Sequence, residues 1–144
     1  MPSTETRRVV ASKSTNEIVT IMAGKPRTPF SNEALVRVTA ISLNRGELGR
    51  AQRTADGTLQ IGWDFVGTVD TPAADGTGPV AGIRVVGFST RMEGWAELVA
   101  VPTLYIAPIP EGVSDAQAAT LPVAGLTALH SVDAATSLLG RHAL

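Results

Sequence analysis

The hydrophobic pattern changes period once, at Ser114, and that change limits what the chain can become. Before it, short apolar runs alternate with polar residues at a spacing of two, between turns rich in Gly and Pro. After it the spacing is helical. Many short strands followed by helices only at the end predict a mainly β unit with C-terminal helices, an α+β arrangement. Its first 110 or so residues should form a small barrel or sandwich.

The strands are legible one by one. "TRRVVASK" and "NEIVTIM" are β-branched runs that open the chain. "GKPRTPFSNE" is a loop, and "EALVRVTAISLN" a long half-buried strand. "RGELGRAQ" suits one or two helical turns. "IGWDFVGTVD" is another strand, with Gly62 and Gly67 marking a bend or a close backbone approach. "GIRVVGF" and "GWAELVAVP" are strands joined by the polar tip "STRME", and "LYIAPIP" is extended. Ser114 and Gln117 have capping-box spacing, and Pro122 fits the first turn of a second helix, Val123 to Leu139.

Composition excludes several function classes. The 12 Lys and Arg balance 13 Asp and Glu, so no basic face for nucleic acid is expected. There is no Cys, which removes disulfides, thiolate metal sites and a Cys nucleophile. No apolar run is long enough for a membrane span, and the N-terminus has no signal-peptide core; a cytoplasmic location is expected. No "GxSxG" is present, and His130 and His142 have no visible partners for a Ser-His-Asp arrangement. "GTGPVA", Gly76 to Ala81, fits a glycine fingerprint, but a strand follows it where a dinucleotide site needs a helix. It reads as a hairpin loop.

Four segments in order carry a family resemblance: "ALVRVTAISLNRGEL", "GWDFVGTV", "GIRVVGFSTRMEGWAELVAVP" and "PIPEGVSDAQAATLPVAGLTAL". Together they resemble the N-terminal half of the medium-chain dehydrogenase/reductase superfamily, in its zinc-independent quinone oxidoreductase-like branch. The resemblance implies a GroES-like, partly open β-barrel over residues 1–120, the catalytic, substrate-binding domain. Residues 121–144 would be a connecting helix and the first residues of a truncated Rossmann domain, the rest of it absent. On that reading Gly140 ends the helix, and Ala143 and Leu144 begin a buried strand.

The same resemblance addresses the metal. Zinc-dependent members place Cys in the segment matching "SLNRGEL", a His-Glu pair in that matching "GWDFVG", and Cys near "LPVAGLT". Here Asn44, Trp63 with Asp64, and Val123 stand there, and neither amide, indole nor isopropyl is a useful Zn²⁺ ligand. No metal is expected. Hydride would come from NADP(H) in the complete enzyme, with none bound tightly by this chain alone.

The candidate site residues follow, each with an alternative. Asn44 orients the nicotinamide ribose or the substrate, or is simply a turn residue. Thr127 faces the nicotinamide, or bonds back to its own helix. Trp63 walls the substrate pocket or fills the barrel. Asp64 reads as structural, Arg45 and Glu47 as a solvated pair, Arg91 and Glu93 as plain surface.

In the second helix, Leu121, Ala124, Ala128, Val132, Ala135 and Leu139 form one apolar stripe that can bury against a neighbour. Val123, Leu126, Leu129 and Leu138 lie off it. So many large apolar groups imply a second covering surface: a Rossmann domain in cis or trans, or a homo-oligomer, commonly a dimer. The family resemblance implies the catalytic, substrate-binding domain of an NADP(H)-dependent, zinc-independent quinone or enone reductase, whose metal-free cleft would suit quinones, enones or aldehydes. The alternative is a stand-alone small-ligand or protein-interaction module without redox chemistry.

Overall fold

A computed structural model describes residues 5–14, 16–54 and 57–135. Strands β1 (Thr6–Ala11) and β2 (Val19–Gly24) form an antiparallel hairpin. Five more strands, β3 (Glu33–Ile41), β4 (Asp64–Thr71), β5 (Arg84–Phe88), β6 (Leu98–Pro102) and β7 (Ile106–Pro108), make an antiparallel sheet in the order β6-β3-β4-β5-β7. The expected mainly β unit with C-terminal helices is what is found. Pro108 sits on the edge strand β7, where its missing N–H costs no ladder bond.

The sheet curls because its central pair is irregular. β3 and β4 shift register between Leu35 and Val36 and again between Val38 and Ala40. Such bulges bend a strand and increase its twist. Gly67 lies at the second shift, and a Cβ there would run into the Arg37 carbonyl. β1 then seams the open side. Val9 N–H donates to Trp95 O at 2.8 Å, and Ile61 N–H donates to Val9 O at 3.1 Å. Gly62, at φ 122°, lets Trp95 approach closely. The two glycines thus mark the bend and close approaches their sequence context suggests.

Three buried clusters fill this half-barrel. Val36, Phe65, Val69, Val85, Val99 and Val101 belong to the first. Ile61, Met92 and Trp95 with Ala11 and Ala51 make the second, which seats the helix α1 (Arg45–Arg53). Ala118 and Ala119 of the short helix α2 (Asp115–Ala119) close the third over Val66. α2 begins on a complete capping box: Ser114 Oγ accepts from Gln117 N at 3.2 Å, and Gln117 Oε1 accepts from Ser114 N at 3.0 Å. Asp115 pins it to the sheet through Thr39, at 2.6 Å, and Arg84.

Two expectations need correcting. The second helix is not one α-helix from Val123. A π-helical turn covers Leu121–Gly125, and the helix α3 runs only over Leu126–Ala134. Pro122 has no N–H to give to an α-helical ladder, and Gly125 holds the backbone weakly, so the first turn widens. The apolar stripe is also uncovered: no residue of α3 is buried, and Leu121 and Val132 are 52% and 56% exposed. The reach to Leu139, Gly140 and the terminal strand lies outside the described residues. "GTGPVA" lies between the paired strands β4 and β5, with no helix after it.

Candidate functional site

The corner between β3 and α1 gathers four of the residues singled out above, Asn44, Glu47, Trp63 and Asp64. Asn44 is still extended, at φ −118° and ψ 139°, and is the N-cap of α1. Its backbone N–H donates to Glu47 Oε2 at 2.7 Å. The other oxygen of Glu47 accepts from Trp63 N–H at 2.5 Å. Glu47 is therefore no solvated partner of Arg45. It is fully buried, and it ties the start of α1 to the entry of β4. The Asn44-x-x-Glu47 spacing is itself a helix-start signature, and it was the available signal for this role.

Asp64, the first residue of β4, is also fully buried. Its Oδ2 accepts from Asn44 Nδ2 at 3.0 Å. Its Oδ1 has no hydrogen-bond partner among the described residues. Burial pushes the Asp64 carboxyl up, against the pull of the Asn44 amide and the smaller pull of the Val123 N–H and Ser42 hydroxyl. Burial likewise pushes Glu47 up, the Trp63 and Asn44 N–H groups opposing it and the Asp64 charge adding to it. Asp64 thus stands between Asn44 and the π-turn that carries Val123.

Trp63 is half-buried and packs against the barrel core, on its second cluster. Its ring edge also lies over Gly46 of α1, where a Cβ would come within 2.9 Å. Thr127 is exposed on α3, one helical turn beyond Val123. Its hydroxyl makes no bond back to the helix; the back-bonding residue is Ser131, whose Oγ donates to Thr127 O at 2.7 Å. An apolar groove of about 450 Å³ runs between β5, β7 and the π-turn, lined among others by Val86, Phe88, Tyr105, Ile106, Leu121 and Leu126. Asn44, Trp63 and Thr127 do not line it. Among the described residues no three His, Cys, Asp or Glu side chains are grouped to hold a metal ion.

The loop between β5 and β6 is not plain surface. Glu93 accepts from Arg27 Nε at 3.2 Å, and Arg91 lies 5.5 Å from the centre of the Phe30 ring, whose other neighbour is Arg27 at 5.2 Å. Arg27 also forks onto the buried Glu33. Only long-range pairing from residue 27 to 93 makes this visible.

No family model matches the chain. Its fold is that of the human synaptic vesicle membrane protein VAT-1 homolog-like protein, at TM-score 0.80 and 29% identity, over 90% of this chain and 43% of the other. The quinone oxidoreductase of Coxiella burnetii matches at TM-score 0.79 and 25% identity, over 90% and 44%. The chain is a GroES-like domain of the medium-chain dehydrogenase/reductase superfamily. This GroES-like domain spans less than half the length of those structural relatives. Its fold is shared at 21% identity by the Escherichia coli quinone oxidoreductase complexed with NADPH, over 90% and 40%, and at 20% by the CurK enoyl reductase, over 89% and 42%, with TM-scores of 0.78 and 0.76. In sequence it is 36% identical over 109 residues, 72% of its length and 5% of the other, to a mycocerosic acid synthase-like polyketide synthase of Mycobacterium tuberculosis. No helix of the described residues is long and apolar enough to cross a membrane.

Proposed function

We propose that this domain is the substrate-side wall of an NADP(H)-dependent, zinc-independent reductase of conjugated carbonyl compounds. Residues 1–120 form the wall and residues 121–144 the connection to a nucleotide-binding domain, in the same chain or another. The observation that carries the reading is Asn44, held by Asp64 and Glu47 at a half-exposed corner on a fold shared with named reductases. Of the three substrate classes, quinone, enone and aldehyde, the enone is favoured. The sequence relative is named a polyketide synthase and one fold neighbour an enoyl reductase.

The described residues fit one end of such a cofactor. Thr127 offers an exposed hydroxyl with no hydrogen bond among the described residues, and Asn44 presents a half-exposed amide whose Nδ2 serves Asp64. The loop at Gly76 to Ala81 lacks the following helix that a phosphate cradle needs, so the phosphates must be held elsewhere. When bound, NADP(H) supplies the hydride. The conjugated carbonyl oxygen then gains negative charge. On this reading the Asn44 amide donates to that oxygen, in a site whose metal-ligand positions hold an amide, an indole beside a buried carboxylate already bonded to that amide, and an isopropyl group. Asp64 acts through Asn44, fixing which end of the amide faces outward. The exposed apolar face of α3 is covered by the nucleotide-binding domain or by a second copy, the homo-dimer being the simplest form.

The test joins this domain in cis to the nucleotide-binding half of the Coxiella burnetii enzyme. NADPH oxidation is followed with a quinone, an aldehyde and an enoyl thioester. Turnover is expected, greatest with the enoyl compound. A folded chimera that binds NADPH and oxidises it with none of the three would overturn the proposal. Micromolar NADPH binding by the chain alone that survives R8Q combined with K25Q would overturn the placement of the phosphate site elsewhere.

A further inference from the structure

A second depression, of about 540 Å³, opens on the face formed by β1, the loop after β2, and β6. Four cations line it, Arg8, Lys25, Arg27 and Arg91, against one carboxylate, Glu93. That is a third of the chain's 12 basic residues in one concavity of a protein with net charge −1. Arg27 is spoken for, since it bridges Glu33 and Glu93. Arg8, Lys25 and Arg91 form no ion pair with any described residue, although Arg91 lies against the Phe30 ring and its charge reaches Glu33. They arrive from three separate segments, so their convergence is not a run of sequence.

Arg8 is more than a surface cation. It is half-buried, and its guanidinium lies against the backbone of Gly24, where a Cβ would stand 3.0 Å from its Nη1. Nη1 also donates to Lys25 O at 3.3 Å. A glycine seat and a carbonyl therefore hold a partly desolvated charge at the rim with no carboxylate to answer it. Gathering unpaired like charges costs free energy unless an anion joins them. A guanidinium fork beside an ammonium suits a planar or tetrahedral oxyanion with two charges.

We propose that this depression binds a small phosphate-bearing anion, with Arg8, Lys25 and Arg91 as its donors. The site is independent of the reductase reading, because it shares no residue with Asn44, Asp64, Trp63 or Thr127.

The test is a titration of the whole chain with inorganic pyrophosphate at fixed ionic strength, read by amide NMR shifts. Saturable shifts confined to residues 6–8, 24–27 and 91–100 are expected. R8Q combined with K25Q should weaken binding at least tenfold, and R91Q about threefold. Gly24→Ala should also weaken it severalfold while leaving the spectrum folded, because its new methyl displaces a flexible guanidinium rather than backbone. R53Q, on α1 and away from the depression, should leave affinity unchanged. Shifts that spread evenly over all basic residues, or that survive R8Q/K25Q and Gly24→Ala unaltered, would overturn the proposal, as would no shifts at all.

Discussion

The barrel and the tail use similar residues and reach opposite outcomes. Phe65, Val66 and Val85 in the barrel are fully buried, whereas Leu126, Leu129 and Val132 in the tail are 50%, 53% and 56% exposed. The excess of large apolar groups in "GLTALHSVDAA" points to a missing cover for Leu126 and Leu129, but not to the exposure of Val132 on the stripe itself. The difference lies in connection. Barrel residues are locked between strands far apart in sequence, while among the described residues α3 packs chiefly on the π-turn. A large apolar surface left open on a folded chain marks an interaction face. The comparison therefore predicts where substitution will be felt.

The largest effect should fall in the barrel. Phe65 fills the first cluster, and its ring is packed so close to Gly87 that a Cβ there would collide with it. Phe65→Ala is expected to cost about 3–5 kcal/mol, measured by urea unfolding. A cost below about 1 kcal/mol would mean that the barrel core can collapse around the gap.

Next comes the corner that holds Asn44. Glu47→Gln keeps the shape but replaces one acceptor oxygen with a donor, so either the Asn44 or the Trp63 N–H loses its partner. A loss of about 1–3 kcal/mol is expected on urea unfolding. In the chimera, Asn44→Ala should cost a similar amount, because Asp64 loses its donor, and should also lower turnover at least tenfold in the folded fraction. Unchanged turnover there would reduce Asn44 to a turn residue.

The two regions of the barrel also titrate in opposite senses. Glu47 and Asp64 are pushed up by burial, so the folded chain keeps their protons where the unfolded chain has lost them. That stability is complete below the unfolded carboxylate range and drains as pH rises through the raised values. Glu33 is pulled down, chiefly by its hydrogen bond from Arg27. Its contribution is present above the unfolded value and disappears as pH falls through the lowered one. The urea midpoint should therefore fall as pH rises above the ordinary carboxylate range, and fall again as pH drops below that range. Asp64→Asn should flatten the first slope and leave the second. A slope untouched by that substitution would place the titrating group elsewhere.

How much of this was legible follows the same divide. Each strand announced itself by local alternation, and Ser114 with Gln117 marked the start of α2 by spacing alone. Gly67 hinted at its close approach, though the Arg37 carbonyl it makes room for is distant in sequence. Asn44 and Asp64 were singled out by motif, but their bond links positions 44 and 64 and needs the fold to be seen. Glu47 was misjudged because an acid beside a basic residue on a short helix usually points to water. Here two backbone N–H groups turn it inward. α3 was legible in part: the excess of apolar groups off its stripe pointed to an absent cover, while the π-turn at its start needed the backbone to be seen.

The smallest effect on stability should come from α3, and it is the one that bears most on the tail. Leu129 stands half out of the chain with no buried neighbour on its helix. Leu129→Ser is expected to change unfolding stability by less than about 0.5 kcal/mol, far below Phe65→Ala. Its effect belongs instead to association. If a second copy covers α3, light scattering at high concentration should give a dimer or larger, and Leu129→Ser should move the chain toward monomer. A stable monomer before substitution would remove self-association as the cover and leave the nucleotide-binding domain as the occupant of that face. A large loss of stability in the monomeric variant would show α3 to be packed against its own barrel, and the contrast between the two regions would fail.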